Sequence, residues 1–181
     1  MIYVKRELPY AKPFADALVN DDAFRLWVLK QTKFADFADG ATLLHREMLE
    51  KRSPGTKYWW RHHYQEKSRC SCSGCSGQET DLLAIFETAA ALRFALHIEV
   101  KYPGDRFKKA GRQAEAYPIR AQCWIAKTPK YVLPHARATT ALLFSEQNRL
   151  KFAPHLKHFD TLITLEDVEK NFPNATATLT S

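Results

Sequence analysis

Two apolar runs, residues 81–86 (Asp-Leu-Leu-Ala-Ile-Phe) and 93–101 (Arg-Phe-Ala-Leu-His-Ile-Glu-Val-Lys), are separated only by a short Ala-rich connection around residues 88–92. This spacing predicts a β-hairpin. Three ionisable residues occupy it at places that core strands normally avoid: Asp81 at its start, and Glu99 and Lys101 at its end. Side chains alternate across a sheet, so Glu99 and Lys101 project from the same face, ~6–7 Å apart along the strand. An antiparallel partner brings Asp81 to that same end of the hairpin.

Around the hairpin, apolar residues at helical spacing predict a helix over 21–33, with Asp21 or Asp22 as N-cap, and a second over 41–51 that Ser53-Pro54-Gly55 terminates. The aromatic stretch 58–64 predicts a short strand, followed by a Ser/Gly/Cys loop over 68–77. After Pro103-Gly104 the pattern predicts a helix over 109–126, interrupted or bent near Pro118. A strand over 139–144, a helix over 146–155, a strand over 161–164, a helix over 165–171 and a frayed tail from Pro173 complete the chain.

A chain of 181 residues with 45% hydrophobic composition fits one domain, 1–181, with N-terminal helices in 1–40, a core in about 41–144 and a C-terminal αβ appendage in 145–181. The fold class expected is α/β of the α+β sandwich type, a mixed central sheet flanked by helices. A formal charge of +7 and a pI near 9.3 favour a polyanionic partner without identifying it. No apolar run approaches the ~20 residues of a membrane-spanning helix, and the N-terminus has no apolar signal core. The expectation is a soluble cytoplasmic protein with no membrane partner.

Two nearby carboxylates repel unless a cation joins them, and carboxylate, water and phosphate oxygens are the ligands that Mg²⁺ prefers. A Mg²⁺ or Mn²⁺ ion between Asp81 and Glu99 would polarise a phosphodiester and acidify water, with the Val100 carbonyl as a further ligand. The Lys101 ammonium would position that water or steady developing charge. Taken alone, Glu99-x-Lys101 also reads as a solvated ion pair on an edge strand.

The order Asp81, apolar strand, turn, apolar strand, Glu99-Val100-Lys101 resembles the PD-(D/E)xK nuclease superfamily. Downstream, Gln113-Ala-Glu-Ala-Tyr117 resembles the Q-x-x-x-Y motif of RecB-type members, and its two named residues share one helical face. The resemblance spans roughly 41–144 and implies a restriction-endonuclease-like αβββαβ core. It also implies catalytic roles for Asp81, Glu99, Lys101, Gln113 and Tyr117, and a metal ligand from an upstream helix. Glu47 and Glu50 are the candidates for that ligand, Glu47 being preferred because its interval from Leu43-Leu44 can turn it toward the sheet. Thr80 stands where the family motif has Pro.

Cys70, Cys72 and Cys75, with Cys123 far along the chain, supply the four thiolates of a tetrahedral structural Zn²⁺ site. An iron–sulfur cluster and unliganded thiols are the alternatives. Glu79 and Glu115 are expected in solvent, Trp59, Trp60 and Tyr64 chiefly in the core, and His97 either behind the metal or simply packed. Asp105, Arg106, Lys108, Lys109 and Arg112 read as a phosphate-contacting surface or a solvated helix start.

Together these features describe a metal-dependent nuclease acting on nucleic acid, DNA in the first instance. A homodimer would supply the two sites that cutting both strands requires. The rival reading is a noncatalytic nucleic-acid-binding or regulatory module that keeps a nuclease-like fold and is stabilised by a Cys-bound metal.

Overall fold

The computed structural model describes residues 4–64, 70–75, 78–107 and 112–179. Within them the helices are α1 (Val4–Asn20), α2 (Asp22–Lys30), α3 (His45–Lys51), α4 (Gln113–Ala126), α5 (Arg149–Leu156) and α6 (Leu165–Asn171). The strands are β1 (Thr42–Leu43), β2 (Arg61–Tyr64), β3 (Glu79–Glu87), β4 (Arg93–Lys101), β5 (Arg137–Phe144) and β6 (Thr161–Thr164). All six form one mixed sheet in the order β1-β3-β4-β5-β6, with β2 also paired to β3.

The β3–β4 hairpin is antiparallel, from Glu87 opposite Arg93 to Leu82 opposite Ile98. β5 then runs parallel to β4, and β6 parallel to β5. A parallel neighbour requires a crossover, which α4 supplies between β4 and β5. β1 and β2 share the other edge of β3, β1 at its end and β2 at its start.

The alternation of the strands sets two apolar faces. Leu82, Ala84, Phe86, Leu96, Ile98 and Val100 pack on one side against Phe14 and Leu18 of α1 and Phe24 and Val28 of α2. On the other side Leu83, Ile85 and Ala95 meet Trp124 of α4, and Leu142 and Phe144 meet Tyr117 of α4 and Phe152 of α5. The sheet is therefore covered on both faces, which is why β3 and β4 are apolar over most of their length. Among the described residues, no helix is long and apolar enough to cross a membrane.

Several expectations are corrected in detail. Residues 42–43 pair with β3, so only the later part of the helix expected over 41–51 forms, as α3. The long helix α1, one of the N-terminal helices expected in 1–40, carries Pro9 and Pro13 internally; burial of Ala11, Phe14, Ala15 and Leu18 outweighs the two missing N–H groups. α4 continues through Pro118, and its expected start at 109 lies outside the described residues. The C-terminal tail is not frayed through residue 179, because Ala175 is buried and the Leu179 N–H donates to Glu169 Oε1 at 3.0 Å.

Candidate active site and cysteine centre

Main-chain pairing of the hairpin ends at Leu82 and Ile98, and beyond it the side chains take over. The Val100 N–H donates to Asp81 Oδ2 at 3.0 Å, which pins the carboxylate of β3 to the end of β4. Lys101 Nζ lies 2.7 Å from Glu99 Oε1 and 3.2 Å from Asp105 Oδ2, and donates to Gln113 Oε1 at 3.3 Å. Glu99, Lys101 and Asp105 are buried, whereas Asp81, Gln113 and Glu7 keep part of their surface open. The buried groups form a floor, and the others a rim.

Helix α4 closes one side of this site. Tyr117 is wholly buried and its hydroxyl is a bridge, accepting the Asp81 N–H at 3.2 Å and donating to the Ile98 carbonyl at 3.4 Å. Gln113 and Tyr117 thus face the site from one side of the helix, as their spacing predicts. Tyr117 braces β3 and β4 and offers no free hydroxyl to a ligand.

The charges are unevenly shared. Burial, the Glu99 charge and the Glu7 charge all drive the Asp81 carboxyl well above the usual carboxylate range. Burial opposes ionisation of Glu99 too, but Lys101 beside it holds Glu99 below its ordinary value. Lys101, despite burial, is pushed up by Glu99, Asp81 and Asp105 and stays protonated. The two carboxyls are therefore inequivalent: Lys101 favours ionisation at Glu99, while burial and the Glu99 charge oppose it at Asp81.

Glu7 feels the charges of the site. The first turns of α1 bring it into the field of Glu99, Lys101 and Asp105, and burial followed by the Glu99 charge raises its pKa to about 7. Glu47, the expected upstream ligand, is instead exposed on α3. That helix buries Met48 in the same cluster as Leu83 and Ile85. Glu50 is exposed as well.

A divalent cation would find two carboxylates at this end of the hairpin, Asp81 and Glu99. The Lys101 ammonium satisfies Glu99 Oε1 at 2.7 Å and Asp105 Oδ2 at 3.2 Å, which leaves Glu99 Oε2 as the buried oxygen of this pair without a geometric hydrogen bond. A buried carboxylate oxygen of this kind beside a partly open rim is one that a hard cation would complete. Val100 contributes its N–H to Asp81, the one contact of its backbone at this site.

The remaining expectations divide. Glu79 is exposed and pairs with His62 Nδ1 at 2.8 Å, and Glu115 is exposed beside Arg112 at 3.6 Å. His97 is packed, with its ring on Trp124 at 5.0 Å and Nδ1 3.4 Å from Thr80 Oγ1. Trp60 is core and Tyr64 is not, being 61% exposed. Asp105, grouped in sequence with a basic surface, is instead buried against Lys101; Arg106 and Arg112 are exposed, and Lys108 and Lys109 lie outside the described residues.

On the same side of the sheet as α4, the four cysteines form a second centre. The Sγ atoms of Cys70, Cys72, Cys75 and Cys123 all lie within 4.8 Å of one another, and Cys70 Sγ is 3.5 Å from Cys123 Sγ. None of the four is in a disulfide, and they are close enough to hold a metal ion. Burial opposes ionisation, yet hydrogen bonds from Cys75, Cys70 and Cys123 lower the Cys72 thiol to about 7, while burial pushes Cys123 up to about 11.

No protein family, curated protein or solved structure matches the chain.

Proposed function

We propose that this chain is a metal-dependent nuclease of the PD-(D/E)xK type. The observation that carries the reading is the meeting of Asp81, Glu99 and Lys101 at one end of the β3–β4 hairpin, with Glu99 wholly buried against the Lys101 ammonium and Asp81 pinned to Val100 beside it. The order α3, β2, β3, β4, α4, β5 follows the αβββαβ plan of a restriction-endonuclease-like core, which supports the same reading.

Asp81 and Glu99 would hold Mg²⁺ or Mn²⁺, with Glu7 in the place first expected of Glu47 and the Val100 carbonyl as a further donor. When bound, the metal supplies Lewis-acid polarisation of a phosphodiester and acidifies water. Lys101, held between Glu99 and Asp105, would orient the attacking water and stabilise charge on the phosphoryl oxygens. Gln113 keeps the ammonium in place from α4, and Tyr117 fixes Asp81 through its main chain. The basic balance of the chain suits DNA as substrate.

The four cysteines are assigned to a structural Zn²⁺. Their mutual spacing suits tetrahedral thiolate coordination at Zn–S distances of ~2.3 Å. This centre is also what favours the second reading, a noncatalytic nucleic-acid-binding module stabilised by a Cys-bound metal.

Incubation of the protein with supercoiled plasmid in Mg²⁺ or Mn²⁺ tests the proposal. Metal-dependent cleavage by the wild type and its loss in Glu99→Ala and Lys101→Ala are expected, with both variants folded. DNA binding in EDTA with no cleavage in either metal would favour the noncatalytic module.

A further inference from the structure

Arg120 is wholly buried in α4, and its guanidinium meets only neutral oxygens among the described residues. Nη1 donates to the Gly74 carbonyl at 2.8 Å, Nε to Thr80 Oγ1 at 2.9 Å and Nη2 to the Glu79 carbonyl at 2.7 Å. A buried guanidinium without an anion is costly, so its environment should hold a compensating charge. The residues it grips indicate where that charge is. Gly74 lies between Cys72 and Cys75 in the cysteine loop, while Glu79 and Thr80 immediately precede Asp81.

The loop has no slack at this contact. A Cβ on Gly74 would come within 2.6 Å of Arg120 N, 2.8 Å of Ala116 O and 2.8 Å of Ile119 Cβ, so only glycine lets the loop lie directly on α4. Cys123 comes from the next turn of the same helix. The guanidinium also covers the Tyr117 ring at 4.3 Å, and the Tyr117 hydroxyl accepts the Asp81 N–H. Arg120 therefore contacts the cysteine loop on one side and both supports of Asp81 on the other.

We propose that a metal held by Cys70, Cys72, Cys75 and Cys123 seats the cysteine loop on α4, and that Arg120 is the positioning residue through which this centre fixes Asp81 in the active site. The proposal rests on the reading of Asp81 as a metal ligand. Four thiolates around one divalent cation carry a net negative charge, which supplies the anion that Arg120 lacks. Loss of the thiolate metal frees Gly74, and with it the anchor that keeps residues 79–81 in register with the Glu99 strand. The cysteine centre then acts on the catalytic carboxylate without touching substrate.

The test uses the full chain purified under reducing conditions, with metal content measured by mass spectrometry and Mn²⁺ affinity by electron paramagnetic resonance. The wild type is expected to hold one zinc, replaceable by cobalt to give the absorption of a tetrahedral thiolate site. Stripping that zinc should weaken Mn²⁺ binding at least tenfold. Arg120→Lys keeps the charge but not the planar fork, and should retain zinc while showing the same loss of Mn²⁺ affinity. Because Cys72→Ser could unfold, the stripped wild type and Arg120→Lys carry the decision. Unchanged Mn²⁺ affinity in Arg120→Lys, or a metal-free wild type that binds Mn²⁺ normally, would overturn the proposal, as would isolation of the cysteines as disulfides. A wild type that cuts no DNA but whose Mn²⁺ affinity follows zinc would sink the nuclease reading alone and leave this one standing.

Discussion

Lys101 Nζ lies 2.7 Å from Glu99 Oε1 with both side chains almost wholly out of solvent. The two partners are not equivalent. Lys101 also has Asp105 and Gln113 within reach, so Glu99→Gln leaves it partnered, and loss of the Glu99 charge removes the main electrostatic obstacle to ionisation of Asp81. Lys101→Met leaves several carboxyls with no cation. In metal-free protein, Lys101→Met is expected to cost about 3–5 kcal/mol and Glu99→Gln much less. Urea unfolding with and without Mn²⁺ checks this; Mn²⁺ should restore most of the stability of Lys101→Met, and equal losses in the two variants would count against it.

Glu7 carries a raised pKa of about 7, against an ordinary carboxylate value of 4.5. A carboxyl whose folded pKa is raised contributes stability fully present below the unfolded value and lost as pH rises through the folded one. Metal-free wild type should therefore lose stability relative to Glu7→Gln between about pH 4.5 and 7. Thermal melts of both proteins across this range should diverge, and parallel curves would remove Glu7 from the site.

The acid side has the opposite slope. His63 is lowered to about 3, and His97 well below its usual value, both first by burial, so neither takes up a proton that the unfolded chain accepts below pH 6.5. Stability should fall as pH drops from 6.5 toward 4, by at most about 1.4 kcal/mol per unit for each histidine. His97→Phe, whose ring can keep the packing on Trp124, should flatten this limb; a slope unchanged from wild type would show that His97 is not its source.

Tyr117→Phe removes the acceptor of the Asp81 N–H and a donor to the Ile98 carbonyl. Leaving that N–H unpaired should cost about 1–3 kcal/mol of stability. Chemical unfolding gives the number, and a value near zero would mean that solvent replaces the hydroxyl.

Much of this site is legible in the sequence, for reasons that differ by residue. Strand alternation alone puts Glu99 and Lys101 on one face, and helical spacing puts Gln113 and Tyr117 on another. Asp105 is hidden by its neighbours: it follows a Pro-Gly turn in a basic stretch, and nothing local says that the chain folds back onto Lys101. Glu7 is hidden more deeply, because α1 contains two prolines that argue against a helix and its position depends on packing over the far face of the sheet. Arg120 carries a weak signal, three residues after Tyr117 on the same helix, but its partners in the cysteine loop are set by the tertiary fold.

Anomalous scattering from a crystal of the protein grown with Mn²⁺ tests the central claim most directly. A single strong peak is expected at ~2.1 Å from oxygens of both Asp81 and Glu99. Absence of a peak between these two carboxylates would contradict it.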